Sequence, residues 1–234
     1  MEKLPLSPSI LEERIGYKYK NRQLLIDALT HSSFANEMKP KGETVVFNER
    51  LEFLGDSVLG FITARHLYAN DRSPEGELTK LRAAVVCEKA LCSYSQALGI
   101  GQYMRLGRGE AQNGGAQRPS ILADMYEAVL AAIYLDGGME PAEKFVLRFI
   151  IPEAESQRRR HFKDYKTALQ EIIQQNPGEW LEYVLVGASG PDHCKVFKVE
   201  VHLNSNVIGK GRGHSKKEAE QLAAREALKL MGYE

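Results

Sequence analysis

The 234-residue sequence lacks the features that typify membrane, secreted and zinc-binding proteins. It has three cysteines, Cys87, Cys92 and Cys194, which do not show the spacing of a zinc site or of a disulfide framework. The longest uncharged apolar run, residues 129–135, is far too short to cross a bilayer. The first residues contain no apolar stretch typical of a signal peptide. We therefore expect a cytoplasmic protein whose thiols are reduced.

The sequence also lacks a net charge, because 31 basic residues balance 31 acidic residues. The balance is uneven along the chain. Residues 1–157 hold 18 basic and 21 acidic residues, a net charge of −3, whereas residues 158–234 hold 13 and 10, a net charge of +3. With 43% hydrophobic and 26% charged residues, the composition is that of a globular protein with one large domain or two ordinary ones.

Residues 1–152 are predicted to form an all-helical domain. Asn21 is a candidate helix cap, and a long helix is predicted from residue 48 to about residue 69. The segment 107–119, which is rich in Gly, Gln and Asn, is typical of an exposed loop. Apolar residues recur at spacings of three and four in three segments: Leu51, Leu54, Val58 and Ile62; Leu78, Leu81 and Val85; and Leu122, Met125, Val129 and Ile133.

A charged, apolar-poor stretch at residues 153–162 is predicted to link this domain to a second one over residues 163–234. The second domain should be an α+β layer, in which two helices cover one face of a three-stranded sheet. The strand pattern is carried by Leu181, Tyr183 and Leu185, then by Phe197, Val199, Val201 and Leu203, then by the short run 207–209. The final helix should place on one face Ala219, Leu222, Ala223, Ala227 and Leu230.

Acidic residues are clustered on two of the predicted helices. In the segment NERLEFLGDSVL, residues 48–59, Glu49, Glu52 and Asp56 are spaced by three and four residues. At about 100° per residue, all three therefore share one helix face. Asp124 and Glu127 repeat the three-residue spacing within an apolar segment, where isolated charge is costly to bury.

Two interpretations of these acids stay open at this point. They can be solvated helix faces, with Glu49 and Glu52 paired to neighbouring basic residues. They can also hold a hard cation such as Mg²⁺, since like charges on one face repel and neither Glu52 nor Glu127 has a basic residue four positions later. A Mg²⁺ site of this kind can activate water for hydrolysis and stabilise an oxyanion leaving group.

Two other kinds of active site are disfavoured. The sequence Gly55-Asp56-Ser57 is similar to the start of a serine hydrolase motif. A nucleophilic serine of that kind lies on a turn after a strand, whereas Ser57 lies within a helical pattern. The six histidines show no spacing typical of a zinc enzyme.

Near the end of the chain, a helix start coincides with two lysines. Ser215 and Glu218 form a capping-box pattern, so a helix should begin at Ser215. Lys216 and Lys217 then fall in its first turn, where cations oppose the helix dipole. Together with free backbone N–H groups they are suited to bind phosphate, although they can also be merely solvated. The Walker pattern that would turn the preceding glycines into a nucleotide loop is absent.

The segment NERLEFLGDSVL and the later segment ADMYEA resemble the two acidic blocks of the ribonuclease III family in order, spacing and flanking apolar residues. The resemblance extends over residues 8–232. It implies four ligands for catalytic Mg²⁺, with Mn²⁺ as a substitute: Glu52, Asp56, Asp124 and Glu127. Of these, Asp56 and Glu127 would act most directly in catalysis. It also implies two accessory acids, Glu49 near a dimer interface and Glu75 with a less direct role.

Residues 163–232 resemble a double-stranded-RNA-binding domain. The resemblance implies that Gln170 and Gln174 of the first helix lie in a minor groove of the RNA, and that a loop with His193 reaches the next minor groove. The start of the last helix would meet the phosphates between the two grooves through Ser215, Lys216 and Lys217. One departure is Glu220, where many members have a third lysine.

The two resemblances together imply an endonuclease that hydrolyses both strands of double-stranded RNA and leaves 5′-phosphate and 3′-hydroxyl ends. The enzyme would act as a homodimer, with ribosomal-RNA precursors as substrate. The alternative is a non-catalytic double-stranded-RNA-binding or ribosome-associated protein. The complete set of acids disfavours that alternative.

Overall fold

The computed structural model describes residues 4–161, 165–176, 178–191 and 195–233. The chain divides into two compact units, a first unit of residues Met1–Gln157 and a second unit of residues Arg158–Glu234. Each unit has its own cluster of buried apolar side chains. Across these described ranges, every helix is too short or too polar to span a membrane.

The first unit is built from helices, and its described part contains no strand beyond a single bridge between Thr30 and Arg105. The helices are α1 (Pro8–Ile15), α2 (Arg22–Ala28), α3 (Ser32–Met38), α4 (Glu49–Asn70), α5 (Glu75–Val85), α6 (Glu88–Leu98), α7 (Arg108–Gln112), α8 (Pro119–Gly137) and α9 (Met139–His161). The Asn21 side chain accepts a hydrogen bond from the Gln23 N–H and caps α2, as predicted. The all-helical prediction is confirmed.

Helix α8 is the central helix of the first unit, because it packs against α2, α4 and α6. Its residues 121–133 are buried apart from Asp124 and Glu127, which are half-buried. The Tyr126 ring stacks on Phe145 and contacts Phe149. This packing fixes the helix that carries two of the predicted acids.

The segment predicted as an exposed loop, residues 107–119, instead contains α7 and a short 3₁₀ helix. Its backbone is tied to α3, since the Gly107 N–H donates a hydrogen bond to Ser33 Oγ at 3.0 Å. A bond between such distant residues has no local sequence pattern. Of the predicted linker, residues 153–162, the described part forms the end of α9, which continues to His161, and residue 162 lies outside the described residues.

The second unit has the predicted order of a helix, three strands and a helix: α10 (Tyr165–Gln174), β1 (Leu181–Ser189), β2 (Val196–Leu203), β3 (Asn206–Gly213) and α11 (Lys216–Leu230). The strands form an antiparallel sheet in the order β1-β2-β3, in which Val201 pairs with Tyr183 and with Gly209. Asn204 and Ser205 both have positive φ and form the tight turn between β2 and β3. The α+β prediction is confirmed, although β3 is longer than predicted.

Helix α11 lies directly on β3, where glycines leave room for it. A Cβ atom on Gly211 would come within 2.0 Å of the Ala219 carbonyl oxygen. The buried face of α11 consists of Ala219, Ala223, Ala224, Ala227 and Leu228. The prediction that Leu222 and Leu230 share this face is wrong, since 37% and 72% of their surfaces are exposed. The contact with the strand is narrow, and small side chains fill it.

Candidate active site

Helices α4 and α8 cross at Gly55, and this crossing brings predicted acids together. A Cβ atom on Gly55 would lie 2.0 Å from the Glu127 carbonyl oxygen and 2.5 Å from its carbonyl carbon. No larger residue fits there unless a helix moves. A glycine inside a helix costs up to about 1 kcal/mol relative to alanine. At this position the close approach of two helix backbones offsets that cost. The α4 backbone between Glu52 and Asp56 meets the α8 backbone at Glu127.

Three carboxylates meet at this crossing, and we call them the acidic cluster. Glu52 from α4 and Asp124 and Glu127 from α8 are half-buried, and each offers an oxygen atom within 4.8 Å of the others. Asp56, one turn after Glu52, is exposed and lies outside the group. Its charge nevertheless raises the pKa of both Glu52 and Glu127. The structure thus brings together three of the four predicted metal ligands, with the fourth beside them.

The acidic cluster is an unfavourable environment for ionised carboxylates. Burial, together with the charges of Asp56, Glu52 and Asp124, raises the pKa of Glu127 to about 8. Burial also raises the pKa of Glu52, with contributions from Asp124, Glu49 and Asp56. Carboxylates that repel one another and are poorly solvated are stabilised in their ionised form by a cation placed between them.

His31 interacts electrostatically with Asp124 of the acidic cluster, although no sequence motif marks it as a site residue. Burial raises the pKa of Asp124, whereas the charge of His31 lowers it and that of Glu88 raises it. The His31 Nδ1 accepts a hydrogen bond from the Ser33 N–H at 3.3 Å and caps α3. Since Asp124 is distant in sequence, no local pattern relates it to His31.

The two predicted accessory acids lie at the start of α4 and at the start of α5, which follows it in the chain. Glu49 is exposed in the first turn of α4, and its charge contributes to the raised pKa of Glu52. Glu75 begins α5 and lies outside the acidic cluster, and one of its carboxylate oxygens accepts a hydrogen bond from the Thr79 hydroxyl at 2.9 Å. At 1.5 Å per residue, Asn70 at the end of α4 is about 27 Å along the helix from Glu52. Within one chain, Glu75 therefore follows the end of α4 that is distant from the acidic cluster.

The acidic cluster has the donor set of a site for a hard divalent cation. Half-buried carboxylate oxygens from two helices are ligands of the kind that Mg²⁺ takes, usually with several waters retained. Since the pKa of Glu127 is raised to about 8, binding of a cation near neutral pH displaces a proton. A site with these properties can activate water for phosphodiester hydrolysis.

The residues predicted to read the grooves of RNA belong to the second unit. Gln170 and Gln174 are exposed, four residues apart on α10, so both lie on one side of the helix. The third predicted groove contact, His193, lies outside the described residues. The two glutamines remain candidates on geometric grounds.

The start of α11 has the predicted capping box, with one difference. Ser215 Oγ accepts a hydrogen bond from the Glu218 N–H at 3.1 Å, and α11 begins at Lys216. The Glu218 carboxylate accepts from the His214 N–H at 2.7 Å, one residue earlier than the pattern predicts. Lys216 and Lys217 are exposed in the first turn. Exposed ammonium groups in this position can contact phosphates of a nucleic acid backbone.

Two family models match the chain, one over each unit. The model described as ribonuclease-III-like matches residues 21–154, which contain the acidic cluster, and the model described as a double-stranded RNA binding motif matches residues 165–231. The chain belongs to the ribonuclease III family. As a member of this family, the protein is an endoribonuclease that acts on double-stranded RNA and carries a double-stranded-RNA-binding domain.

Relatives in the ribonuclease III family match over nearly the whole chain. Ribonuclease 3 of Desulforamulus reducens is 51% identical over 223 residues, which cover 93% of this chain and 89% of the relative. Ribonuclease 3 of Symbiobacterium thermophilum is 50% identical over 218 residues, which cover 92% and 91%.

A solved structure of the ribonuclease III nuclease domain from Campylobacter jejuni, described as flexible in a region involved in dimer formation, matches the helical part of the chain. Its sequence identity is 39% and its TM-score 0.57, over 63% of this chain and 98% of that one. A crystal structure of the same nuclease domain at 2.2 Å resolution is 40% identical, with a TM-score of 0.54.

Proposed function

We propose that the protein is a Mg²⁺-dependent endonuclease that hydrolyses both strands of double-stranded RNA and leaves 5′-phosphate and 3′-hydroxyl ends. The observation that carries the proposal is the acidic cluster, in which three carboxylates present oxygens within 4.8 Å of one another. Asp56 completes the ligand set from the next turn of α4. Mn²⁺ can take the place of Mg²⁺, because both ions favour carboxylate oxygens.

In this mechanism, the side chains of the site bind the metal ion and fix its position. Glu52, Asp124 and Glu127 would hold the ion from two helices, and Gly55 keeps those helices at contact distance. When bound, Mg²⁺ lowers the pKa of water and stabilises the charge that develops on the leaving oxygen. Glu127 would be held ionised by the cation, and the exposed Asp56 would complete the ligand set. These two acids are the proposed catalytic pair.

A homodimer accounts for the cleavage of two strands. The described residues of one chain hold one acidic cluster, so two chains supply one cluster for each strand of the duplex. The solved nuclease domain from Campylobacter jejuni, described in terms of its dimer formation, supports this assembly. Glu49, near the dimer interface, and Glu75, with a less direct role, are the proposed accessory acids, and both are exposed and lie outside the cluster.

We assign catalysis to residues 1–152 and binding of the duplex to residues 163–234, joined by residues 153–162. Gln170, Gln174 and His193 would contact the minor grooves, where 2′-hydroxyls are displayed. The phosphates between the grooves would be met by Ser215, Lys216 and Lys217. Ribosomal-RNA precursors are the proposed substrates.

One experiment separates this proposal from its alternative, a non-catalytic RNA-binding or ribosome-associated protein. The full chain is incubated with labelled duplex RNA in Mg²⁺ and, in parallel, in EDTA, and the products are sized on a denaturing gel. We expect cleavage of both strands in Mg²⁺ and none in EDTA, with activity restored by Mn²⁺. Products that accept a 3′-ligated adaptor without prior treatment would carry the expected 3′-hydroxyl ends. RNA that is bound but uncut in every condition would support the alternative.

A further inference from the structure

Glu220 of α11 and Lys166 of α10 form an ion pair that joins the two helices of the second unit. The Lys166 Nζ lies 2.6 Å from Glu220 Oε2, and the two side chains are 38% and 28% exposed. The same ammonium lies 4.6 Å from the centroid of the Tyr183 ring on β1. The Lys166 N–H also donates a hydrogen bond to Gln221 Oε1 at 3.1 Å. Lys166 is therefore held in place by contacts from two other elements.

Glu220 lies on the same helix as the two candidate phosphate-binding lysines, Lys216 and Lys217. Glu220 follows Lys216 by four residues and Lys217 by three, and residues at these spacings are neighbours on a helix surface. Its carboxylate is thus within reach of both lysines, and pairing with either would cancel a positive charge. Within the described part of the second unit, Glu220 pairs with Lys166, and no ion pair joins it to Lys216 or Lys217.

We propose that Lys166 is a positioning residue for RNA binding, which holds the Glu220 carboxylate away from Lys216 and Lys217. Both ammonium groups thereby stay available for phosphates, although the same helix carries a glutamate at position 220. The proposal rests on the role of Lys216 and Lys217 given under the proposed function. It requires no contact between Lys166 and the RNA.

The surroundings of the pair favour Lys166 over the competing lysines. The pair is partly buried, so salt and water screen it less than a fully exposed pair on the surface of α11. The Tyr183 ring adds a cation–π contact that neither Lys216 nor Lys217 makes in the described structure. A lysine that precedes glutamate by four residues is also the weaker orientation of a helical ion pair.

The test measures binding of the full chain to a fluorescently labelled RNA duplex of about 16 base pairs, the span of one such domain. Fluorescence anisotropy is recorded in EDTA over a salt series. Lys166→Met keeps the apolar stem against Tyr183 but releases Glu220. We expect Kd to rise several-fold at low salt and the slope of log K against log salt to fall by about one. Adding Glu220→Gln to Lys166→Met should restore both quantities.

Two control variants complete the design. Lys166→Arg keeps the ion pair and should bind as the wild type does. Lys229→Met also removes one positive charge from the second unit, but on α11 and about 20 Å from Lys216 at 1.5 Å per residue, and should leave the slope unchanged. Thermal unfolding is measured for each variant. A purely structural role would lower Tm and binding equally in Lys166→Met and in the double variant.

The proposal is overturned if the double variant binds as weakly as Lys166→Met, because Lys166 would then contact the RNA or support the fold. It is also overturned if Lys166→Met binds with the wild-type slope. Lys216→Ala with Lys217→Ala separates this failure from a failure of the proposed function. An unchanged slope in that double variant would show that Lys216 and Lys217 make no phosphate contacts, so the proposed function would fail at this point. A reduced slope in the double variant, together with the wild-type slope in Lys166→Met, would contradict only the positioning role of Lys166.

Discussion

The two functional regions of the protein treat charge in opposite ways. In the acidic cluster, like charges are brought together and half-buried, and the pKa of Glu127 is raised to about 8. At the start of α11, Lys216 and Lys217 are exposed to water, and a nearby glutamate is paired elsewhere. The first region stores electrostatic repulsion that a cation relieves, so it should respond to metal and pH. The second keeps its charge available, so it should respond to salt.

Both regions nevertheless rely on the same packing device, a glycine that admits another backbone. Gly55 lets α8 approach α4, and Gly211 lets α11 approach β3. In the first unit the contact determines the distance between the proposed metal ligands. In the second it determines only where the lysine-bearing helix rests. We therefore expect substitutions at Gly55 to affect chemistry directly.

The largest expected effect is that of Glu127→Gln on cleavage. Glutamine keeps the shape of the side chain but removes a charge from the acidic cluster, so cleavage should fall by roughly 10²–10³-fold or more. Binding of duplex RNA should persist, because Lys216 and Lys217 belong to the other unit. Cleavage rates and anisotropy on the same duplex measure the two quantities. Cleavage near the wild-type rate at ordinary Mg²⁺ would remove Glu127 from the site.

The next effect is that of Gly55→Ala, compared with Gly60→Ala on the same helix. The added methyl at Gly55 would lie 2.0 Å from the Glu127 carbonyl oxygen, whereas nothing lies within 4 Å of a Cβ atom at Gly60. We expect Gly55→Ala to lower the free energy of unfolding by about 1–3 kcal/mol and to weaken Mn²⁺ binding. Gly60→Ala should be neutral or stabilising. Denaturant unfolding and calorimetry measure both quantities, and equal effects at the two positions would contradict the role given to the crossing.

A moderate effect is expected for Lys216→Ala with Lys217→Ala. Each lost phosphate contact should lower the slope of log K against log salt by about one, so the double variant should lose about two. Cleavage should partly recover at low salt, because the acidic cluster is intact. Binding isotherms at several salt concentrations provide the slope. If it stays at the wild-type value, the lysines are merely solvated.

The smallest effect concerns stability and pH in the absence of metal. Between its ordinary pKa of 4.5 and its folded value of about 8, Glu127 keeps a proton in the folded chain that the unfolded chain has lost. Its contribution to the free energy of unfolding therefore falls as pH rises through this window. Glutamine does not titrate, so Glu127→Gln does not lose stability as the pH rises. In EDTA at pH 8 the Tm of this variant should therefore exceed that of the wild type by about 2–5 °C. The difference should shrink toward pH 5, and one that is constant with pH would contradict the assignment.

Local signals in the sequence predicted local features of the structure. Asn21 and Ser215 cap helices as expected, because a cap involves residues only two or three positions apart. Helical spacing also predicted correctly that the acids lie on α4 and α8. It could not predict that Asp56 lies outside the group of three, since the distance between two helices depends on their packing. An isolated glycine within a helical pattern was the available signal for that packing.

Other features depend on contacts between residues far apart in the chain. Helix α7 is tied to α3 through Ser33, and a glycine-rich segment extends β3 because α11 lies on it. Lys166 and Glu220 are separated by 54 positions, so their pairing has no local pattern. His31 lies near Asp124 for the same reason. These features follow from tertiary packing and are visible only once the helices are placed.

The backbone contact at Gly55 has a consequence for the choice of ion. A site whose ligands hang from flexible loops can widen to take a larger cation, but here the Glu127 carbonyl meets α4 directly and the helices have little freedom to adjust. Mg²⁺ forms bonds to oxygen of about 2.0–2.1 Å, whereas Ca²⁺ requires about 2.3–2.6 Å and more ligands. The helix crossing thus fixes the spacing of the carboxylates, and this fixed spacing should favour Mg²⁺ over the larger Ca²⁺.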